Sequence, residues 1–245
     1  MKIDIVTLFP EMFAGTFGQS MIKRAVKEKI LTIHTINPRD FAEDKHNTVD
    51  DYPFGGGAGM VLKPEPVYRA IDSIPTFSEN KRVILLCPSG ATFSQKKAIE
   101  LSKYDQLVLI CGHYEGFDAR ISYLADEKIS IGDYVLTGGE IPAMVLVDTV
   151  ARMLPGVLGS MESALTDSFY NDLLEHPQYT RPRNFLGMEV PEVLLSGNHA
   201  KIADWRRKES LRITLLNRPD LLDKTSLSSK DVLFLEEIKR ELGDL

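Results

Sequence analysis

The chain has 245 residues, of which 43% are hydrophobic and 26% are charged, as expected of a folded globular protein. Its net charge of -6 argues against indiscriminate binding of nucleic acid through the whole surface. The sequence alternates like a strand from Met1, and no apolar run reaches the roughly 18 residues of a membrane span. We therefore expect a cytoplasmic protein with no membrane association. Cys87 and Cys111 end hydrophobic runs, which indicates reduced, buried thiols.

Two periodicities alternate along the first part of the chain. Strand-like runs exchange with stretches of helical spacing, which predicts an α/β domain with a parallel sheet. Residues 83–86 and 107–110 are apolar on both faces, as expected of central strands covered by helices. The predicted strands are 3–9, 31–37, 82–87, 107–111 and 129–136, and the predicted helices are 11–29, 64–74, 94–103, 118–125 and 142–154.

The pattern changes after residue 154, where a Pro-Gly turn ends the last predicted helix. The polar stretch 161–177 has no clear period, so we interpret it as a flexible interdomain linker. Only helical signals follow, at 191–195, 200–216 and 228–242, which predicts a small all-helical domain over residues 178–245. The first domain then covers residues 1–160.

Residues 180–218, called the basic region below, carry a positive net charge although the whole chain is negative. Between Thr180 and Arg218 there are eight Lys and Arg residues against four Asp and Glu residues, a net charge of +4. This region is therefore predicted to dock a polyanion.

Three turn-rich segments follow predicted strands, at residues 87–90, 111–116 and 138–142. Ligands of parallel α/β sheets bind beyond the carboxyl ends of the strands. The glycines at 55–59 open no helix, and the sequence has no P-loop or zinc motif, which argues against a phosphate-driven or metal-driven reaction. A ligand held by backbone groups remains, because glycine allows close backbone approach. Gly138 and Gly139 alone equally fit a simple strand end before a helix with Pro142 in its first turn.

Several long segments give the chain a resemblance to a known family. They are SIGDYVLTGGEIPAM (130–144), CGHYEG (111–116), NTVDDYPFGGGAGM (47–60), RMLPGVLG (152–159) and PQYTRPRNF (177–185), with LFPEMF (8–13) and NRPD (217–220) extending the match. The chain thus resembles the bacterial tRNA (guanine-37-N1)-methyltransferases of the SPOUT superfamily. The resemblance implies an α/β domain with a C-terminal trefoil knot, a helical tRNA-binding domain, and a homodimer with active sites at the subunit interface.

The resemblance also implies methylation of N1 of guanosine 37, the nucleotide 3′ of the anticodon, with S-adenosyl-L-methionine as donor. Glu115 is expected to meet the cofactor's ammonium or hydroxyl groups, or Mg²⁺; a solvated loop carboxylate is the plainer alternative. His113 stands where other members of the family carry arginine. The implied cofactor contacts are Leu86, Cys87, Pro88, Ser89, Gly112, Tyr114, Glu115, Gly116, Ile131, Gly132, Tyr134, Leu136, Gly138, Gly139 and Pro142.

Two catalytic residues follow from the same resemblance. Asp167 is expected to be the general base, because guanine N1 is a poor nucleophile until its proton leaves. Arg152 is expected to bond O6, where negative charge develops. We expect Asp167 to come from the partner subunit. Each has a structural alternative: Asp167 as the cap of a helix that begins at Ser168, and Arg152 as a cation favoured at a helix C-terminus.

The basic region supplies the expected tRNA contacts. Asp50 is expected to read the nucleotide 5′ of the target, although acidic residues there are equally explained as turn formers. Trp205 is interpreted as a core residue that could instead stack a base. The expected phosphate contacts are Arg181, Arg183, Arg206, Arg207 and Lys208.

Three other functions stay open from the residues alone. A related methyltransferase acting on a ribose 2′-hydroxyl would not need Asp167. A catalytically silent RNA-binding module would not bind the cofactor. An enzyme acting on a small molecule would leave the basic region without a purpose.

Overall fold

The computed structural model describes residues 1–159 and 166–243. The chain divides into two compact units, residues 1–161 and 162–245, and each has a hydrophobic core of its own. Among the described residues, no helix has the length and apolar character that crossing a membrane requires.

The first unit is built around a parallel sheet. Its strands are β1 (Lys2–Val6), β2 (Thr32–Ile36), β3 (Asp50–Asp51), β4 (Val61–Leu62), β5 (Lys81–Thr92), β6 (Gln106–Cys111) and β7 (Glu127–Ser130). Five of them pair in parallel in the order β2-β1-β6-β5-β7, while β3 and β4 form a separate antiparallel pair. The predicted α/β class with a central parallel sheet is therefore confirmed.

Helices cover both faces of this sheet, as the doubly apolar strands require. They are α1 (Met12–Phe17), α2 (Ser20–Lys27), α3 (Pro64–Asp72), α4 (Gln95–Leu101) and α5 (Glu140–Ala151). Ile84 and Leu109 pack into the core that contains buried residues of α1, α2, α4 and α5, whereas Leu85 and Ile110 pack into the core that contains those of α3. This alternation follows from the two-residue period of a strand, and burial of each such side chain contributes roughly 1.5–3 kcal/mol.

Several predicted boundaries in the first unit are wrong. The helix predicted over 11–29 is two helices, and Ser20, the first residue of the second helix, has a left-handed φ of 52°. The helix predicted over 118–125 is a 3-10 helix, Ala119–Leu124, and the strand predicted over 129–136 ends at Ser130. The strand predicted to end at residue 87 continues to Thr92.

The second unit contains α6 (Glu192–Leu195), α7 (His199–Asn217) and α8 (Ser229–Leu242), with a 3-10 helix, Pro219–Lys224, before α8. Leu211 of α7 and Ile238 of α8 are fully buried in its core. The prediction of an all-helical region is wrong in one respect, because a hairpin joins β8 (Asn184–Phe185) to β9 (Met188–Glu189). Leu186 and Gly187 form its turn with φ of 54° and 84°, and two-residue strands are too short to show a period.

Part of the predicted linker, residues 161–165, lies outside the described residues. Its later part has packed side chains: Leu173 is buried against Leu211 and Ile238, and the Glu175 amide donates to the Ser168 hydroxyl at 2.9 Å. The linker and its boundaries stay a prediction.

Candidate functional site

A cavity of about 370 Å³ opens beyond the carboxyl ends of β6 and β7. Its walls come from the end of β6 and the segment after it, from the segment that joins β7 to α5, and from the middle of β5. The pairing of β5 with β7 shifts register between Leu86 and Ala91. The cavity is lined by Leu86 and by Cys87 and Pro88, which lie within this shift. Such irregularities in a sheet commonly redirect side chains toward an active site or a ligand.

The structure brings almost all of the expected cofactor residues together around this cavity. Ser89 is the exception, and its hydroxyl lies 3.2 Å from the sulfur of Cys87. Eight further residues line the cavity without having been expected as cofactor contacts: Leu85, His113, Phe117, Ser122, Ile129, Ser130, Val135 and Thr137. The expected residues that do line it are Leu86, Cys87, Pro88, Gly112, Tyr114, Glu115, Gly116, Ile131, Gly132, Tyr134, Leu136, Gly138, Gly139 and Pro142.

Gly139 sits where two loops touch through their backbones. Its amide donates to the Gly112 carbonyl at 2.8 Å. A Cβ atom at Gly139 would stand 2.6 Å from the Cys111 Cα and 2.9 Å from the Gly112 amide nitrogen, and neither atom can swing away. Only glycine fits here, so Gly139 is required by the loop crossing and not merely by the end of a strand.

Tyr114 holds a strained backbone conformation at the rim of the cavity. Its φ is 60°, which is uncommon for a residue with a bulky side chain and recurs at functional sites. Arg39 donates a hydrogen bond to the Tyr114 hydroxyl at 3.2 Å. The amide of Glu115 donates to the carbonyl of Met60 at 3.0 Å, so the loop that follows the glycines at 55–59 lies against the rim.

The wall of the cavity also contains an unsatisfied polar atom. Nδ1 of His113 is buried and has no hydrogen-bond partner among the residues that the structure describes. The ring is fixed by contacts with Phe9 at 4.7 Å and Tyr114 at 5.0 Å between centroids. A buried polar atom without a partner is rare in a folded protein, so a polar ligand group is the natural partner for it.

A buried hydrogen bond anchors the start of α5 to the end of β1. The hydroxyl of Thr7 donates to Glu140 at 2.7 Å, and Glu140 is only 2% exposed.

Burial, with a further contribution from Glu140, raises the pKa of Cys111 well above its usual value. Cys111 is therefore a neutral, inert thiol, as interpreted from the sequence, whereas Cys87 is only half-buried.

The two expected catalytic residues lie in different units. Arg152 is half-buried at the C-terminal end of α5. Asp167 lines a cavity of about 410 Å³ in the second unit, together with His176, His199 and Arg206. Residues 168–170 form a turn and no helix, so the explanation of Asp167 as a helix cap finds no support. Thr166 and Asn171, which flank Asp167, line the same cavity.

The expected phosphate contacts differ in their surroundings. Arg207 forms two hydrogen bonds with the buried Asp231, at 2.7 and 3.0 Å, and Lys208 pairs with Glu237 and Glu241 at 2.9 Å each. The guanidinium groups of Arg181 and Arg206 make no ion pair or hydrogen bond within residues 1–159 and 166–243. The described contacts therefore favour Arg181 and Arg206 over Arg207 and Lys208 as phosphate ligands.

Two of the remaining expected residues have local structural roles. Asp50 is half-buried in β3, where it pairs with Leu62 of β4. Arg183 lies 3.8 Å from Glu192, and both side chains are largely exposed, so this pair holds Arg183 only weakly.

The fold and the cavity together define a class of protein. A parallel α/β sheet with a backbone-lined cavity beyond its strand ends is typical of enzymes that bind a nucleotide-like cofactor. Comparison with known proteins identifies the family. The family model described as tRNA (Guanine-1)-methyltransferase TrmD matches residues 1–224, and the chain belongs to this family.

Similar proteins match the chain along its whole length. A protein of Dictyoglomus turgidum is 59% identical over 244 residues, which cover 100% of this chain and 99% of the relative. Proteins of Geobacillus kaustophilus and Bacillus cereus are 58% and 56% identical, over 98% of this chain and 99% and 100% of their own lengths. All three carry the name tRNA (guanine-N(1)-)-methyltransferase.

Proposed function

We propose that this protein methylates N1 of guanosine 37 in tRNA with S-adenosyl-L-methionine as donor. The enzyme class and the guanine-N1 chemistry rest on the family and on the names of the relatives. The cofactor rests on the cavity at the ends of β6 and β7, which is the observation that carries the proposal. The nucleotide position rests on the resemblance of the sequence.

The residues of the cavity fit an adenosine linked to methionine. A volume of about 370 Å³ lies within the range of small-molecule sites, and the glycines at 112, 138 and 139 in its lining have no side chain to keep an adenine ring away from the backbone. Nδ1 of His113 is buried beside them and has no partner in the described chain. Glu115 would face the ammonium or the ribose hydroxyls. When bound, the cofactor would supply an electrophilic methyl group.

The catalytic proposal concerns two side chains of this protein. Asp167 accepts the proton of guanine N1, and Arg152 donates a hydrogen bond to O6, where negative charge builds up as that proton leaves. The arginine makes N1 more acidic during the reaction, which offsets the weak basicity of a carboxylate. Both groups must also hold the guanine ring in line with the methyl group.

Mg²⁺ enters the proposal only as an addition. Within the part of the chain that the structure describes, no three His, Cys, Asp or Glu residues come together to hold a metal ion. Glu115 alone would have to share the ion with water and with ligand oxygens, as Mg²⁺ commonly allows. We assign no step to a metal.

A homodimer completes the proposed active site. Helix α5 buries Ala143, Leu146 and Val147, yet it also exposes Ile141 at 46% and Val145 at 39%. A helix that is apolar on its solvent side supports a contact with a second copy of the chain. We propose further that the loops around the cavity form the trefoil knot of the SPOUT fold, that residues 178–245 bind tRNA, and that the enzyme is cytoplasmic.

The test uses two transcripts of one tRNA that differ only at nucleotide 37, with guanosine or adenosine. We expect methyl transfer to the first transcript alone. The product should stop primer extension at nucleotide 37, because a methyl group on N1 blocks the Watson–Crick edge. Equal methylation of both transcripts would exclude the assigned position. Methylation without a stop would favour the alternative reaction at a ribose 2′-hydroxyl.

A further inference from the structure

The second unit contains an aromatic cavity that neither the cofactor nor the catalytic residues use. Its volume is about 460 Å³, and it lies beside α6 and α7. Trp205 of α7 contacts His176 at 6.3 Å and Tyr179 at 6.2 Å between ring centroids, with tilted ring planes. These contacts hold the Tyr179 ring in place without covering it, since Tyr179 stays 48% exposed.

This cluster is not part of the hydrophobic core of the unit. The core contains Leu173, Leu211 and Ile238, whereas Trp205 is only half-buried and lies at the cavity wall. The interpretation of Trp205 as a core residue is therefore wrong. Exposed aromatic rings that are held by their neighbours are suited to stacking on a flat ligand.

The charge of the residues that line the cavity limits the chemical class of ligand that it can bind. Arg181, Arg183 and Arg206 line it, and no Asp or Glu is among its lining residues. Arg181 and Arg206 have no intramolecular partner within the described chain. Aromatic faces next to unpaired guanidinium groups match a nucleotide, because a base stacks on the rings and its phosphate bonds the arginines.

We propose that this cavity binds one unpaired nucleotide of the tRNA, other than the nucleotide that is methylated. The base stacks on Tyr179 beside Trp205, and its phosphate lies between Arg181 and Arg206. The site rests on the proposed function in taking tRNA as its substrate. It adds a base-stacking contact to the phosphate contacts expected of the basic region.

The chain has a single tryptophan, so its fluorescence reports directly on this cavity. We expect an unmodified tRNA transcript to change the Trp205 emission of the full-length protein on titration. Tyr179→Leu should raise the Kd for that transcript about tenfold or more, whereas Tyr179→Phe, which keeps the ring, should stay within about twofold of the wild type. Tyr68→Leu is the matched control, because Tyr68 is 51% exposed and lines neither this cavity nor that of the cofactor.

Salt dependence separates stacking from phosphate contacts. Arg181→Ala should lower the slope of log Kd against log salt by about one, whereas Tyr179→Leu should leave the slope unchanged. A Trp205 emission that ignores saturating tRNA, or wild-type affinity in Tyr179→Leu, would overturn the site.

Methyl transfer by the wild-type protein, measured in parallel, distinguishes this site from the proposed function. Normal methylation of guanosine 37 with a silent Trp205 would overturn the site alone. Absence of methylation, together with a Trp205 response that depends on Tyr179, would overturn the proposed function and support the site.

Discussion

At the scale of single residues, Gly139 has the closest backbone contacts of the glycines that line the proposed cofactor cavity. Gly139→Ala would force a methyl group to within 2.6 Å of the Cys111 Cα. We expect a loss of unfolding free energy of about 1–3 kcal/mol, as for other overpacked sites, and at least a tenfold weaker affinity for S-adenosyl-L-methionine. Thermal unfolding and calorimetric titration with the cofactor measure the two effects.

Gly15→Ala is the matched control for this substitution. Gly15 lies in α1, and a Cβ atom at this position would meet no neighbouring atom within 4 Å outside the backbone of its own helix. An alanine there should leave cofactor affinity unchanged and raise stability by up to about 1 kcal/mol, because alanine favours a helix over glycine. Equal losses at both positions would show that the loop crossing at Gly139 is not special.

At this scale, the sequence predicted which residues line the cavity better than it predicted the contacts between them. Residue types and spacing indicated only a ligand held by backbone groups, and the resemblance to a family supplied the individual positions. Neither predicted the unsatisfied Nδ1 of His113, because burial of one ring atom depends on Phe9 and Tyr114, which contact it across the fold. The ion pairs of Arg207 with Asp231 and of Lys208 with Glu237 could not be predicted for the same reason, because their partners come from another helix.

At the scale of elements, Asp231 joins the start of α8 to α7. Its carboxylate accepts from the Ser228 amide in a capping box and from Arg207, and the Arg207 hydrogen bond with those of Ser228 lowers its pKa from 3.8 to about 2. A depressed carboxylate pKa stabilises the folded state above pH 4, and the contribution disappears as the pH falls from about 4 to about 2.

Asp231→Asn should therefore lower the unfolding free energy of the second unit by about 2 kcal/mol at neutral pH. The variant should also lack the fall in unfolding free energy that the wild type shows between pH 4 and pH 2. Urea unfolding followed by Trp205 fluorescence at several pH values measures both effects. Glu241→Gln is the control, since the pKa of Glu241 is also lowered to about 2 but its side chain is 48% exposed, so we expect a smaller loss.

Two neighbouring arginines on α7 should respond differently to removal. Arg206→Ala should weaken tRNA binding and lower the slope of log Kd against log salt by about one, with unchanged thermal stability, because Arg206 has no partner in the described chain. Arg207→Ala should lower the melting temperature, because it leaves the buried Asp231 without its cation. Binding titrations at several salt concentrations and thermal melts of both variants measure these effects. Similar results for the two variants would contradict their assigned roles.

Long helices and strands were predictable from the sequence, whereas elements of only a few residues were not. The central strands were visible because both of their faces are apolar, and α7 and α8 were visible because they run for several turns. The pairs β3–β4 and β8–β9 have two residues per strand, which is too few to show alternation. The break between α1 and α2 depends on the left-handed backbone of Ser20, which no periodicity reveals.

At the scale of the whole molecule, charge is distributed unevenly along the chain. The overall charge of -6 disfavours indiscriminate RNA binding, whereas the basic region between Thr180 and Arg218 carries +4. This arrangement should direct a polyanion to the second unit. The proposed knot belongs to the same scale, and it lies beyond any periodicity because chain threading is almost absent from protein folds.

The proposed active site requires two subunits, with Arg152 from one and Asp167 from the other. Homodimers of Arg152→Ala and of Asp167→Ala should each be inactive. After subunit exchange at equal concentrations, half of the dimers are mixed, and each mixed dimer has one intact site, so about a quarter of the wild-type activity should return. Methyl transfer to a guanosine-37 transcript measures the recovery.

Exchange of the wild type with a variant that carries both substitutions provides the control. If the two residues act across the interface, every mixed dimer has two broken sites, and only about a quarter of the wild-type sites remain active. If both residues act within one subunit, each mixed dimer keeps one intact site and about half of the activity remains. Activity near one half here, together with no recovery in the first exchange, would place Asp167 and Arg152 in the same subunit's site and contradict the proposed dimeric site.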